Sequence, residues 1–165
     1  MISRKGQTWG LDLIMAVFIF VIGVFVFLIY SINYSGEATE TFEKLSYDGE
    51  IIMKSVLSEG SPKGWDESNV KVIGVISDNK INQTKLEQFY NFTLSDYDKT
   101  KIVFNIKYDY YLTFKENITL HGNQVEGIGH PNISLNNIDS NNLIKITRFS
   151  IYNNTPATIY LYVWE

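Results

Sequence analysis

Six asparagines stand in Asn-x-Ser/Thr triplets, the acceptor pattern for N-linked glycans: Asn33, Asn82, Asn91, Asn117, Asn132 and Asn153. The chain has 15 asparagines and 24 serines or threonines in 165 residues, and such a composition supplies about two triplets by chance. Six therefore point to glycosylation outside the cell, although an Asn-rich chain gathers triplets easily and Pro156 follows the Asn153 triplet directly. A second constellation is "HGNQVEGIGH", in which the only histidines, His121 and His130, frame Glu126. A hairpin that joined its two arms would offer a metal ion two imidazoles and a carboxylate. Ordinary surface loops have the same residues, and the expectation is that no metal binds. Tyr108, Tyr110, Tyr160, Tyr162 and Trp164 form a third set. Such rings can line a glycan-binding surface, but on alternating strands they serve as core and cross-strand pairs. No serine sits in a nucleophile elbow, no glycine-rich phosphate loop is present, the carboxylates are scattered and cysteine is absent. These residues describe a non-enzyme that needs no cofactor.

The element that must place these groups in a compartment is "RKGQTWGLDLIMAVFIFVIGVFVFLIY". In residues 13–32, fifteen of twenty are Leu, Ile, Val or Phe, and none is charged. Twenty helical residues rise about 30 Å, the thickness of a bilayer's hydrocarbon core. Each apolar residue near the centre contributes roughly −0.3 to −0.6 kcal/mol to insertion, so the run is a membrane span. The remaining chain is too small to surround it as a buried helix. Arg4 and Lys5 precede the run and Glu37, Glu40 and Glu43 follow it, which places the N-terminus in the cytoplasm and residues 33–165 outside. A secretory signal peptide fits poorly, because its apolar region spans about 7–15 residues and ends at small residues, whereas this run ends "IYSINYSG". Without Arg4, Lys5 and Asp12 the chain carries 12 basic and 17 acidic residues. That balance disfavours nucleic acid as a partner.

Beyond the span the pattern becomes one-sided. Ala38, Phe42, Leu45, Gly49, Ile52 and Val56 recur at 4-3-4-3-4 spacing among charged residues, the signature of a helix with one apolar stripe. Gly60 and Pro62 end it. Strand patterns then take over. "NVKVIGVIS" (69–77) is β-branched, and "KIVFNIKYDYYLTF" (101–114) alternates strictly between apolar and polar positions. Between them, Thr84 and Glu87 predict a capping box for a short helix that turns Leu86, Phe89 and Tyr90 inward. "NITLHGN" and "QVEGIG" predict a strand or hairpin, "SLNNIDSNN" (134–142) a polar loop, and "LIKITRFSIY" and "ATIYLYVWE" two strands around "NNTP". A sheet with one apolar face needs a cover, and the striped helix supplies one. The expected fold class is therefore α+β, a long N-terminal helix packed on a C-terminal antiparallel sheet. The competing arrangement pairs the stripe with a second copy in a coiled coil, but the stripe is short and puts Gly49 at the seam.

"RKGQ", the long apolar helix and the β-rich head together resemble a type IV pilin or archaellin-type subunit with a class III (prepilin-type) signal peptide, in particular the short archaeal pilin-like proteins. The resemblance implies a basic leader at 1–6 cut after Gly6, so that Gln7 becomes the first mature residue. It implies a transmembrane and filament-core helix at 7–33, an amphipathic continuation at 34–60 and an extracellular head at 61–165. Implied partners are further copies of the chain through the N-terminal helix, a prepilin-type peptidase, an assembly ATPase and a platform protein. Many type IV pilins carry glutamate at the fifth mature position, to neutralise a neighbour's new amino group. Here that position is Leu11 and the acid is Asp12, with Trp9 and Gly10 before it. A carboxylate in an apolar bundle needs a partner, so Asp12 is the candidate for pairing with a neighbour's N-terminus. Its other placement is the headgroup boundary. The resemblance also includes relatives that stay as single-pass anchors binding a surface layer or a motor, and these form the alternative to a filament subunit.

Overall fold

The apolar run and the charged stretch after it form one element. The structure is a computed structural model that describes residues 5–131, 133, 135, 138 and 140–165, and of 5–8 and 33–38 the backbone alone. Helix α1 is Lys5–Val56. Its first part is long and apolar enough to cross a membrane, a setting in which backbone groups must bond within the segment. Its second part draws on Glu, Lys, Ala and Met, which are good helix formers. Lys54 sits in the last turn, where a cation suits the carbonyl end. The helix stops at Val56, before the expected Gly60, and the chain leaves through Leu57 and Ser58, whose N–H groups donate to the carbonyls of Met53 and Ser55. The chain divides into two compact units with a boundary inside α1, and the second unit is Phe42–Glu165.

After α1, this second unit contains strands β1 (Ile76–Ser77) and β2 (Lys80–Ile81), helices α2 (Gln83–Ser95) and α3 (Tyr97–Phe104), and strands β3 (Asp109–Leu120), β4 (Asn123–Gly129), β5 (Leu143–Tyr152) and β6 (Thr155–Trp164). The last four make an antiparallel sheet in the order β4-β3-β6-β5. Both of its hairpins close through two residues with positive φ, His121-Gly122 and Asn153-Asn154, the backbone that matches the twist of the flanking strands. Pro156 pairs with Ile151 one step beyond the Asn153-Asn154 turn. Pairs alternate between hydrogen-bonded and non-hydrogen-bonded, so the missing N–H costs the hairpin no bond.

The sheet's inner face carries Tyr110, Leu112, Phe114, Ile144, Ile159, Leu161 and Val163, which share one core with Leu45, Ile52, Met53 and Val56 of α1 and with Phe89, Phe92 and Phe104. The fold is α+β with helix on antiparallel sheet, as the stripe predicts. Gly49 explains the closeness of that packing. A Cβ there would lie 2.5 Å from Ile146 Cδ1 and 3.4 Å from both Ile144 Cδ1 and Val163 Cγ2, so only glycine lets the helix rest at this depth. The neighbouring Asp48 is buried, and its Oδ2 accepts the N–H of Lys107 at 2.9 Å and of Tyr108 at 3.4 Å. On the wet side Arg148 donates to both carboxylate oxygens of Glu50, an exposed pair of a kind that adds about 0–1 kcal/mol.

Four expectations are corrected. Phe42 is exposed, so the buried stripe begins at Leu45. Residues 69–77 are mostly irregular. Only Ile76-Ser77 pair as strand, while Ile73 and Val75 are buried and the Trp65 indole donates to Gly74 O at 2.8 Å. A Cβ on Gly74 would lie 2.2 Å from Gly60 N, so two backbone segments touch here, and they pair as strand only through the single bridge Ser61–Val72. The long strand over 101–114 is α3 followed by β3. Asp96 caps α3 by accepting the Lys99 N–H, and Asn105 ends it with φ 57°. Finally, Asn82 caps α2 by accepting the Lys85 N–H, not Thr84. Glu87 instead accepts from the Gln83 side chain and the His121 N–H. Of the expected 134–142 loop, Ser134, Asn136, Asn137 and Asp139 lie outside the described residues.

Replacing Gly49 by leucine forces the helix off Ile144 and Ile146, and overpacking of this kind costs about 1–3 kcal/mol. Denaturant unfolding of the detergent-solubilised chain, followed by the fluorescence of buried Trp65, is expected to show that loss. An unchanged midpoint would mean that the helix is not seated on the sheet in solution.

Candidate functional site: an apolar helix and a sequon-bearing rim

Within α1, Trp9–Ile32 is a 24-residue segment with a mean hydropathy of 3.1, long and apolar enough to cross a membrane, and none of it is buried in the fold. Its side chains are exposed all round, Phe18, Phe20, Phe25 and Phe27 each by more than 60%. At about 25 cal/mol per Å² of apolar surface, such a cylinder is untenable in water and calls for a dry partner. Gly6 and Gln7 fall in the first turn of α1, one and two residues after its start. Asp12 is exposed near the beginning of the apolar segment. A Cβ on Gly10 or Gly23 would meet nothing within 4 Å, so no contact inside the chain requires glycine at either position. Asp12, Ala16, Ile19 and Gly23 follow i, i+4, i+7, i+11 spacing and share one face of the helix.

The six triplets fall into different settings. Asn33 lies in α1, where only the backbone is described, and Asn132 lies outside the described residues. Asn82 is half-buried, with its Oδ1 engaged in capping α2. Asn91 is exposed but sits inside α2 with its Oδ1 3.1 Å from His121 Nε2. Its triplet partner Thr93 is buried and donates its hydroxyl to Tyr90 O at 2.7 Å. Asn117 is exposed where β3 slips register against β4, and its partner Thr119 is exposed as well. Asn153 is exposed at the tip of the β5–β6 hairpin, as is Thr155. The last two asparagines are brought together. Both line one open cleft of about 440 Å³, with Lys115, Glu116, Tyr152 and Pro156.

The two histidines point to separate neighbours. His121 Nδ1 stands 3.8 Å from Glu87 Oε2. The Gln83 side-chain amide, followed by the His121 N–H, holds the Glu87 carboxyl below the usual carboxylate range. His130 packs edge-on against Tyr97, tilts against Trp164 and places Nδ1 2.8 Å from Pro131 O. Among the described residues no group of three His, Asp or Glu side chains is close enough to hold a metal ion.

The aromatic set also divides. Tyr108, Tyr110 and Trp164 are buried. Tyr110 shares a 2.7 Å hydrogen bond with the Thr100 hydroxyl, and burial pushes its phenol far above the ordinary range. Tyr97 is raised likewise, by burial first and then by Asp109, a 3.1 Å acceptor of its hydroxyl. Tyr160 and Tyr162 alone remain partly open, on the sheet's outer face, with Lys145 Nζ 3.8 Å and 5.4 Å from their ring centroids. Register across the central strands aligns Lys145, Tyr162 and Tyr111 in one row and Thr147, Tyr160 and Thr113 in the next. Sequence alternation reveals the parity of Tyr160 and Tyr162 but not which face is covered.

No protein-family model, curated protein or solved structure matches the chain. Its sites are therefore read from its own residues. For a glycan added to the folded head, the geometry selects Asn117 and Asn153 over Asn82 and Asn91. If the head is glycosylated, peptide mapping by mass spectrometry on protein from its native source is expected to find glycan at one or both of the first two and bare Asn91. Full occupancy at Asn91 would contradict that selection.

Proposed function

We propose that the chain is a structural subunit, major or minor, of a pilin-like cell-surface filament of the archaeal type. It is held in the membrane by its N-terminal helix with the head outside, and it assembles through that helix. The observation that carries the reading is the two-part character of α1. The head uses the helix from Leu45 to Val56 to close its own core, whereas the segment Trp9–Ile32 has no buried residue. A helix apolar on every side suits lipid and a helical bundle equally, because both are dry, and in a bundle packing shape replaces hydrophobicity as the driving force. The open site at Gly23 leaves room for a neighbouring helix on the face that carries Asp12. Asp12 then meets the amino group of an adjacent subunit in a low-dielectric setting, where a lone carboxylate is costly.

In this reading Arg4, Lys5 and Gly6 form a leader that is removed and Gln7 becomes the mature N-terminus. Mass spectrometry of the N-terminal peptide from native membranes or sheared surface material is expected to start at Gln7. An intact Met1–Gly6 would overturn the filament reading and leave the alternative, a permanent single-pass anchor carrying an extracellular binding module.

A further inference from the structure

A second cleft, of about 500 Å³, opens on the sheet's outer face, with Thr113, Tyr160 and Tyr162 as its floor and Lys115, Asn117 and Glu126 at its walls. Its size falls inside the range of roughly 300–1,000 Å³ typical of small-molecule sites. The lining has an uncommon mixture. Two aromatic rings stand two residues apart on one strand, so both project from the same face of the sheet. Around them are a carboxylate, an amide, a hydroxyl and an ammonium. Strand order places Lys145 on the far side of these rings. It belongs to β5 and stacks over Tyr160 at 3.8 Å, whereas the polar walls come from β3 and β4, across β6. Lys145 covers part of the tyrosine rings from the β5 side, and both tyrosines stay partly open and line the cleft.

We propose that this cleft binds a saccharide, a pyranose unit of a glycan. A pyranose ring has an apolar face of C–H groups and a rim of hydroxyls that both donate and accept. The tyrosine rings match the first property. Glu126 as acceptor, Lys115 as donor and Asn117 as both match the second. Lys115 and Glu126 offset each other and Lys145 is engaged with the tyrosine rings, so the cleft offers no cluster of free cations to a strongly ionic ligand such as a nucleotide. At Thr113–Tyr160 the backbones of β3 and β6 are paired with each other, so a peptide strand finds no free edge between these two residues. The proposal does not depend on the filament reading. Asn117 stands at the rim, so a glycan carried there by the chain itself has the same chemistry as a free saccharide and reaches the same cleft.

The test uses the full chain in detergent, made in a host that adds no N-glycans, with saturation-transfer NMR against methyl glycosides of glucose, galactose, N-acetylglucosamine and glucuronic acid. The expected result is transfer to at least one neutral glycoside, concentrated on its C–H face. Tyr160→Ala and, separately, the conservative Glu126→Gln are expected to weaken it at least 10-fold. Tyr47→Ala, at an exposed tyrosine outside the cleft, is expected to leave it unchanged. Trp65 fluorescence reports whether each variant is folded. Absence of transfer to all four probes, or full binding by folded Glu126→Gln, would overturn the proposal. Competition by N-linked glycan in natively glycosylated chain, relieved in Thr119→Ala, which removes the acceptor triplet and keeps Asn117, would assign the cleft to the chain's own glycan; unimpaired binding by glycosylated chain would assign it to another molecule's.

Discussion

The head depends on one close contact, the seat of α1 at Gly49 on Ile144, Ile146 and Val163. A four-stranded sheet has two faces, and the centre of the inner one here is apolar through Leu112, Leu161 and Val163. Without a cover, that face would present itself to water as a sheet-sized hydrophobic patch. The helix supplies the cover only because a residue without a side chain stands at the crossing. Leu45, Ile52, Met53 and Val56 then reach past the glycine into the core. Asp48 adds orientation by accepting backbone N–H groups at the turn from α3 into β3. A buried carboxylate satisfied in this way fixes one rotation of the helix and penalises the others.

The same helix has two kinds of surface, and this division links fold to function. From Leu45 onward it has a buried side and a wet side, as a helix covering a sheet requires. Through Trp9–Ile32 it has no wet side at all. The first arrangement suits water on one flank; the second suits hydrocarbon, or other helices, on all flanks. The functional groups follow the same partition. The acid and the open glycine lie on the apolar part, while the exposed asparagines and the tyrosine cleft lie on the head.

Much of this was legible in the residues, and the exceptions have identifiable causes. The membrane-length run, the one-sided stripe and the β5–β6 hairpin follow from hydrophobic period and from Asn153-Asn154 as a turn pair. Residues 101–114 misled because Ile102, Phe104, Ile106 and Tyr108 alternate across an element boundary. Against that alternation stand Asp96 as a cap, Asn105 as a left-handed stop, and the helical spacing of Tyr97, Thr100 and Phe104. Ile102 is in fact exposed, the reverse of what the alternation implies, and Thr100 is buried, as the helical spacing requires. Residues 69–77 misled because β-branched side chains can be buried by an irregular segment when two backbones touch, as Gly60 and Gly74 do. The candidate sites were legible as residue types only. Triplets identify asparagines, but only packing separates Asn91, whose Thr93 is buried, from Asn117, whose Thr119 is not. The pairing of Asn117 and Asn153 at one cleft depends on the register slip in β3 and on the strand order, neither of which a linear pattern encodes.

The central claim is that α1 serves the head only through its last part and leaves the apolar part for another dry environment. The most direct measurement compares two truncated chains, residues 42–165 and residues 57–165, by near-ultraviolet circular dichroism and denaturant unfolding in detergent-free buffer. The account predicts that 42–165 is soluble and unfolds cooperatively, while 57–165, stripped of Leu45, Gly49, Ile52 and Met53, gives no cooperative transition. Cooperative unfolding of 57–165 at the same midpoint, or failure of 42–165 to fold, would contradict it.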